Sequence, residues 1–296
     1  MKIKRFFCVF CALVLMLSAA GCGSMPQGNQ ADTDAVKAAV EKFRACESFT
    51  VAQHINWQES VNVDNDKQLY NAVNEMEISF ISGEQPQMIS YAMTKVENGG
   101  STVEQSSISY ILPENGGYAE YVNDGSSWVK VTSDNSGPLA SISAASFVNA
   151  FFTDFISFAK VGEETLDSGK ATRNEGALSG EALVAMLETN GQLADLSSMS
   201  EKSQATIREN LIKDLDYLTV SVWLDENSGY PVRFEVNLTE ILDDLNRSIS
   251  KSLGNKVNNE WAITEYVLSM SASDFNALTE IVLPAEAANA VPYEAA

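Results

Sequence analysis

Tyr118-Ala119-Glu120-Tyr121-Val122-Asn123-Asp124-Gly125-Ser126-Ser127-Trp128-Val129-Lys130-Val131-Thr132 reads as two strands folded back on a tight turn. Aromatic and β-branched residues fill both arms, and Asn123-Asp124-Gly125 supplies a turn in which glycine takes a positive φ without steric cost. Runs of period two lie upstream of this hairpin. Phe49, Val51, Ile55 and Trp57 alternate with Thr50, Ala52, His54, Asn56 and Gln58. Met76, Ile78 and Phe80 follow, then Ile89, Tyr91 and Met93, then Ile108, Tyr110 and Leu112. No helix long enough for a parallel crossover separates these runs, so they predict an antiparallel meander with one apolar and one wet face.

Downstream the period changes. Ser143 to Lys160 (SAASFVNAFFTDFISFAK) places Phe147, Phe151, Phe155 and Phe158 on one helical stripe, with Val148, Phe152 and Ile156 beside it. The spacing predicts a single helix whose apolar arc covers about half its surface, wider than a surface helix needs. Gly162 to Asn174 reads as turn-rich. Further helices are expected over Ser179–Glu188, roughly 200–215 and roughly 240–254. Alternating runs are expected around Val220–Leu224, Val232–Leu238 and Thr264–Met270. Upstream of the meander, Val36, Ala39, Val40 and Phe43 recur at helical spacing. Asp32, Thr33 or Asp34 is expected to cap that helix near Ala35. Strands and helices in separate blocks, without a dividing linker, define an α+β fold in one domain.

The chain has 296 residues, with 19 basic and 40 acidic, a formal net charge of −21. This charge argues against nucleic acid, which needs clustered Lys and Arg, and against electrostatic docking on anionic lipid. A hydrophobic content of 45% with 13 Phe, 9 Tyr and 4 Trp is enough for a sizeable core.

Lys2, Lys4 and Arg5 precede the apolar run Phe6–Leu17, and Ala19-Ala20-Gly21-Cys22 follows it. The run has the length of a secretory h-region and is shorter than the roughly 20 residues that a permanent span requires. Ala19–Cys22 resembles the lipobox of bacterial lipoproteins, with Ala19 standing where Leu is commonest. The resemblance implies cleavage before Cys22, a diacylglyceryl group on its thiol, and an extracytoplasmic body held to the cell membrane by lipid. Residues 1–21 are then signal peptide, and 22–34 are the lipidated cysteine and a flexible polar tether. Loss of the three basic signal residues leaves 16 basic against 40 acidic, a charge of −24. Of the cysteines Cys8, Cys11, Cys22 and Cys46, only Cys46 then remains a free thiol, so the mature chain forms no internal disulfide. Its place at the edge of the first helix's apolar face reads as a small buried apolar residue.

Beyond the lipobox, the organisation resembles the LolA/LolB-like carrier fold, and LppX/LprG-type and related Gram-positive lipoproteins. It rests on the order of tether, capped helix, strand run, Tyr118–Trp128 hairpin, Phe-rich helix and late strands. Val222-Trp223-Leu224-Asp225-Glu226-Asn227-Ser228-Gly229-Tyr230-Pro231-Val232 is the best local match, and Ser273-Asp274-Phe275-Asn276 followed by Ile281–Pro284 also fits. The resemblance implies a strongly curved antiparallel sheet, a half-barrel, wrapped around several helices over residues 35–285. Residues 286–296 are expected to be a disordered tail. It also implies that the space between sheet and helices takes lipid acyl chains, which makes Phe147, Phe151, Phe152, Phe155 and Phe158 candidate lining of an apolar cavity. The alternative is an envelope interaction lipoprotein with a solid core and no small ligand.

The residues carry no catalytic, cofactor or metal constellation. His54 is the only histidine and has no Cys or carboxylate at zinc-ligand spacing. Ser157–Lys160 and Ser248–Lys251 match the serine–lysine pattern of penicillin-binding enzymes, but Ser133-Asp134-Asn135 precedes both and no Lys-Thr-Gly follows. Gly176–Gly180 lacks nucleophile-elbow spacing. Asp64-Asn65-Asp66 lacks the glycine and glutamate of a calcium loop.

Overall fold

The computed structural model describes residues 28–63, 66–133, 139, 142–151, 155–189, 200–214, 218–252 and 261–293. Their elements run in the order α1 (Gln30–Arg44), β1 (Ser48–Val63), β2 (Asp66–Ile81), β3 (Gln87–Asn98), β4 (Ser101–Glu114), β5 (Gly117–Asn123) and β6 (Trp128–Ser133). Then come α2 (Ala144–Phe151), β7 (Phe155–Leu166), β8 (Gly169–Leu178), α3 (Gly180–Thr189), α4 (Glu201–Asp214), β9 (Leu218–Asp225) and β10 (Pro231–Asn237). α5 (Thr239–Ser252), β11 (Trp261–Ser273), a 3-10 turn at Ala285–Asn289 and β12 (Val291–Pro292) complete the chain. The expected α+β class is what forms: an open, curved sheet carrying its helices on the inner face.

The sheet has twelve strands in the order β12-β6-β5-β4-β3-β2-β1-β11-β10-β9-β8-β7. β1 to β6 form one meander and β7 to β11 a second. β11 joins them by pairing antiparallel with β1, from Thr50↔Ser273 to Val61↔Trp261. The turns follow local chemistry. Asn123 Oδ1 accepts from the Gly125 N–H (2.7 Å), and Gly125 holds φ 93°. Gly99 and Gly100 both have positive φ, so two residues reverse the chain between β3 and β4.

The main core lies between the inner face and the helices. Val36, Val40 and Phe43 of α1, Phe49 and Val51 of β1, Phe80 of β2, Phe234 of β10 and Leu245 of α5 are all buried in it. Phe49 meets Phe43, Phe80 and Phe147 at ring-centroid distances of 5.4, 5.7 and 5.3 Å. α5 is tied to β11 by polar contacts as well: the Tyr266 N–H donates to Thr239 Oγ1 (2.8 Å) and the Ile263 N–H to Asp243 Oδ1 (3.0 Å).

Each edge of the sheet is covered over part of its length, which shortens the exposed strand edges that promote chain–chain pairing. At β7 the cover comes from the chain's start. The Asn29 N–H donates to the Phe158 carbonyl (3.0 Å), and Thr33 Oγ1 accepts from the Phe158 N–H (2.9 Å). Asp32 Oδ2 accepts from the Lys160 N–H (2.7 Å). At the far edge β12 pairs parallel with β6, and the Tyr293 N–H reaches the Lys130 carbonyl (2.8 Å).

Four expectations are corrected. The first helix begins at Gln30 with Asn29 as its cap, whose side chain accepts from the Asp32 N–H. Residues 29–34 are therefore fold, not tether. Asp32 and Thr33 spend their side chains on the β7 edge, which sequence spacing does not reveal. The helix expected over Ser143–Lys160 stops at Phe151, and Phe155 to Leu166 is strand β7. Register shifts between Phe155 and Phe158 and between Lys160 and Gly162 break the alternation of β7, so it mimics a helical period. The turn-rich reading of Gly162–Asn174 gives way to the β7–β8 hairpin, turned at Gly169 with φ 127°. Finally, residues 286–293 of the expected disordered tail are ordered on the sheet, with Ala287 fully buried.

Candidate functional site

The five phenylalanines proposed as cavity lining do not form one stripe. Phe147, on α2, is partly buried and packs edge-on against Phe49. Phe158, on β7, is fully buried in the main core. A Cβ at Gly176 would fall inside the Phe158 ring, so glycine is required where that ring crosses β8. Phe151 closes α2 and Phe155 opens β7. Phe152 and Cys22 lie outside the described residues. The two whose side chains are described, Phe147 and Phe158, both pack in or against the main core.

The strand register instead assembles a different inner surface. Cross-strand neighbours on one face of a sheet share its environment. Phe49, Phe80, Met88 and Ile111 form one inward row, buried together with Leu139 and packed by Ile142 and Phe147. The next inward row is Val51–Ile78–Ser90–Ser109. Beyond it come Gln53–Met76–Ala92–Ser107 and Ile55–Asn74–Thr94–Gln105, then Trp57–Ala72–Val96–Val103. Within these rows burial falls from β1 toward β4, with Ile55 and Ala72 still buried in the far rows. Met76 and Ile78 are half-buried, Ala92 and Thr94 are exposed, and Val103 keeps 61% of its surface. The result is a neutral inner wall, here called the trough, that is covered on the β1 side and open toward β4.

No residue in those four trough rows is charged. The outward rows between them hold the charges. Glu77, His54 with Glu75, Lys95 with Glu104, and Glu97 all project to the convex side. There His54 Nδ1 lies 3.3 Å from Glu75 Oε1 and Lys95 Nζ 2.7 Å from Glu97 Oε1. Segregation on this scale leaves a neutral inner wall. On β5 the inward Glu120 accepts from Ser109 Oγ (3.0 Å).

Trp57 carries an unusual group. Its indole body packs against the main core, yet its Nε1–H is shielded from water and has no hydrogen-bond partner. An unpaired buried donor costs about 1–3 kcal/mol, and buried indoles normally find an acceptor.

The single apolar face and single wet face expected of the meander do not hold on β3 and β4. Ile89, Tyr91, Ile108, Tyr110 and Leu112 face outward. Tyr110, Ala119 and Tyr121 form a second small core with Ile281 and Ala287, and Ile89, Ile108, Leu112 and Leu283 pack against it. The segment after β11 thus covers the convex side, and the small neutral residues Ser90, Ala92, Thr94, Ser107 and Ser109 are left inside. That cover comes from residues 281–287 at the far end of the chain, so a local period cannot announce it.

Other candidates resolve plainly. Cys46 is buried, its Sγ 3.6 Å from the Lys42 carbonyl oxygen, and burial pushes its pKa up despite Tyr230, Lys42 and Asn276 nearby. Its environment is that of a packed apolar residue. A cleft of about 460 Å³ lies between α1 and the β8–β9 end, where Lys42 and Lys160 are matched by Asp32, Asp225 and Glu226. Among the described residues no cluster of His, Cys, Asp and Glu has metal-site geometry. No described helix is long and apolar enough to cross a membrane.

The sequence matches no protein-family model and no curated protein. Comparison with solved structures finds likeness over most of the chain at low identity. LprF from Mycobacterium bovis is 10% identical with a TM-score of 0.45, over 87% of this chain and 98% of its own. Mycobacterium tuberculosis lipoprotein LppX is 8% identical with a TM-score of 0.31, over 86% of this chain and 100% of its own. A putative outer membrane lipoprotein-sorting protein domain from Vibrio parahaemolyticus is 10% identical with a TM-score of 0.23, over 85% of this chain and 95% of its own.

Proposed function

We propose that this chain is a non-enzymatic, membrane-tethered extracytoplasmic lipoprotein that binds or carries an apolar, lipid-like ligand in the trough between β1–β4 and the helices. The observation that carries this reading is the uncharged inner wall of four rows, covered on the β1 side and open toward β4. A wall of this kind offers an acyl chain dispersion contacts and demands no desolvation of charge. The five-phenylalanine cavity of the sequence reading is replaced by this surface, with Phe147 at its closed end. Cys22 supplies the anchor. The six peptide links from Cys22 to Gly28 span at most about 20 Å, which holds the body close to the bilayer. The charge of −24 left once the three basic signal residues are gone (16 basic against 40 acidic) gives it no electrostatic hold there, so the covalent lipid is the attachment. No cofactor or nucleic acid enters the reading.

The test is native mass spectrometry of the full chain carrying Cys22→Ser, purified without detergent. Co-purified lipid supports the carrier reading. Apo protein that also fails to take up an added pyrene-labelled fatty ester overturns it in favour of an envelope interaction protein with a solid core.

A further inference from the structure

We propose that the cleft between α1 and the β8–β9 end binds an aliphatic ammonium, a primary amine head on a short hydrocarbon stem. The site is independent of the trough. Strands β9, β10 and β11 separate β8 from β1, so the cleft belongs to the other half of the sheet.

The floor of the cleft is an anomaly in its row. Asn174 stands in the inward row Asn174–Val222–Phe234–Met270, whose other members are buried apolar residues. It is 2% exposed and lines the cleft. Its Nδ2 donates to the Thr172 carbonyl (3.1 Å), and its Oδ1 accepts from no described group. Unlike the Trp57 Nε1, that oxygen is not sealed from water, so it opens on the cleft.

Two neighbouring carboxylates also have unspent oxygens. Asp225 Oδ1 accepts from the Ser228 and Asn227 N–H groups (2.6 and 3.2 Å), while Oδ2 accepts from none. Hydrogen bonds from Ser228 hold this carboxyl below the usual carboxylate range, so it stays charged. The Glu226 carboxylate makes no hydrogen bond or ion pair among the described residues. The two cations at the cleft are held elsewhere. Lys160 Nζ donates to Glu163 Oε1 (2.8 Å), and Lys42 Nζ donates to the Ser228 carbonyl and lies 4.3 Å from the Tyr230 ring centroid. With Asp32 the cleft carries three carboxylates against these two ammoniums, one negative charge in excess.

The ligand chemistry follows from these open valences. All of them, on Asn174, Asp225 and Glu226, are acceptors, so the occupant brings donors and one positive charge. An ammonium carries that charge and three N–H donors. Ala35, Ala38 and Leu224 offer apolar wall to its stem, within a volume of about 460 Å³. A metal ion fits less well, because among the described residues no acidic cluster has metal-site geometry. A quaternary ammonium has the charge but no N–H for Asn174. A free amine and a lysine side chain of a partner share the head and the stem.

The experiment titrates the full chain carrying Cys22→Ser with pentylamine, pentyltrimethylammonium and Nα-acetyl-lysine methylamide, and follows the Asn174 side-chain amide resonances by NMR. Pentylamine should move them saturably and bind about fivefold or more tightly than the trimethyl form, the worth of a hydrogen bond. Glu226→Gln, at an exposed residue, should weaken pentylamine about three- to tenfold, and Asn174→Ala about fivefold. Tighter binding of the lysine amide than of pentylamine assigns the site to a partner's lysine side chain; equal or weaker binding assigns it to a free amine. Unmoved Asn174 resonances, equal affinity for the trimethyl form, or indifference to Glu226→Gln overturns the proposal. None of these three results depends on Asn174→Ala folding, and all of them leave the carrier reading untouched.

Discussion

Phe49→Ala and Met76→Ala, made side by side, separate solid core from open trough. Phe49 is fully buried and meets three aromatic rings within 5.7 Å. Removing a buried Phe side chain costs about 3–5 kcal/mol in lost transfer free energy and residual cavity. Each aromatic pair adds roughly 0.5–1.5 kcal/mol, which puts this site at the upper end of that range. For a domain of this size each kcal/mol lowers Tm by about 2–4 °C, so Phe49→Ala should drop Tm by roughly 10–20 °C. Met76 lies one strand and two rows away, half-buried on the trough wall. Its truncation removes fewer contacts and leaves a space that solvent already reaches, so about 1 kcal/mol or less is expected. Thermal unfolding of both variants in the Cys22→Ser background gives the comparison. A Met76→Ala loss equal to that of Phe49→Ala would mean that the trough rows are packed core, and the carrier reading would lose its site.

Three further outcomes follow from named contacts. Cys22→Ser should move the protein from the membrane fraction to the secreted fraction and abolish labelling by a clickable fatty acid; retained label refutes the anchor. In that variant Cys46 should react with a thiol reagent far more slowly when folded than in denaturant, because burial both shields the sulfur and raises its pKa; equal rates would place Cys46 at the surface. Glu114 accepts from Lys130 Nζ (2.5 Å) and the Tyr121 hydroxyl (2.6 Å), which hold its pKa below the usual carboxylate range. Its contribution to stability is complete above that range and is lost as pH falls through the lowered value. The Tm gap between parent and Glu114→Gln should therefore close on acidification, and a gap that widens would contradict the assignment.

Much of the architecture was legible in single stretches. The Tyr118–Trp128 hairpin forms with its strands paired from Tyr118↔Ser133 to Asn123↔Trp128. The helices expected over Ser179–Glu188, 200–215 and 240–254 appear as Gly180–Thr189, Glu201–Asp214 and Thr239–Ser252. What stayed hidden depends on contacts between distant segments. β7 is disguised by its bulges and by the glycines, Gly28 and Gly176, that let Phe158 sit where it does. The outward turn of Ile89, Tyr110 and Leu112 depends on a cover supplied by Ile281 and Ala287. The trough itself was hidden for the same reason, since Ser90, Ala92, Thr94 and Ser107 look like the wet face until that cover is in place. Trp57 was visible as one member of an alternating run, but its unpaired N–H is a property of the packed structure.

Photoaffinity labelling tests the central claim most directly. A fatty methyl ester bearing a diazirine on its chain is bound to the full chain carrying Cys22→Ser, irradiated and mapped by peptide mass spectrometry. The account predicts adducts on inward residues of β1–β3 such as Trp57, Met76 and Ala92, competed away by excess unlabelled ester, and none on their outward neighbours Glu75, Glu77 and Lys95. Saturable adducts confined to the convex face, or no saturable adduct at all, would contradict it.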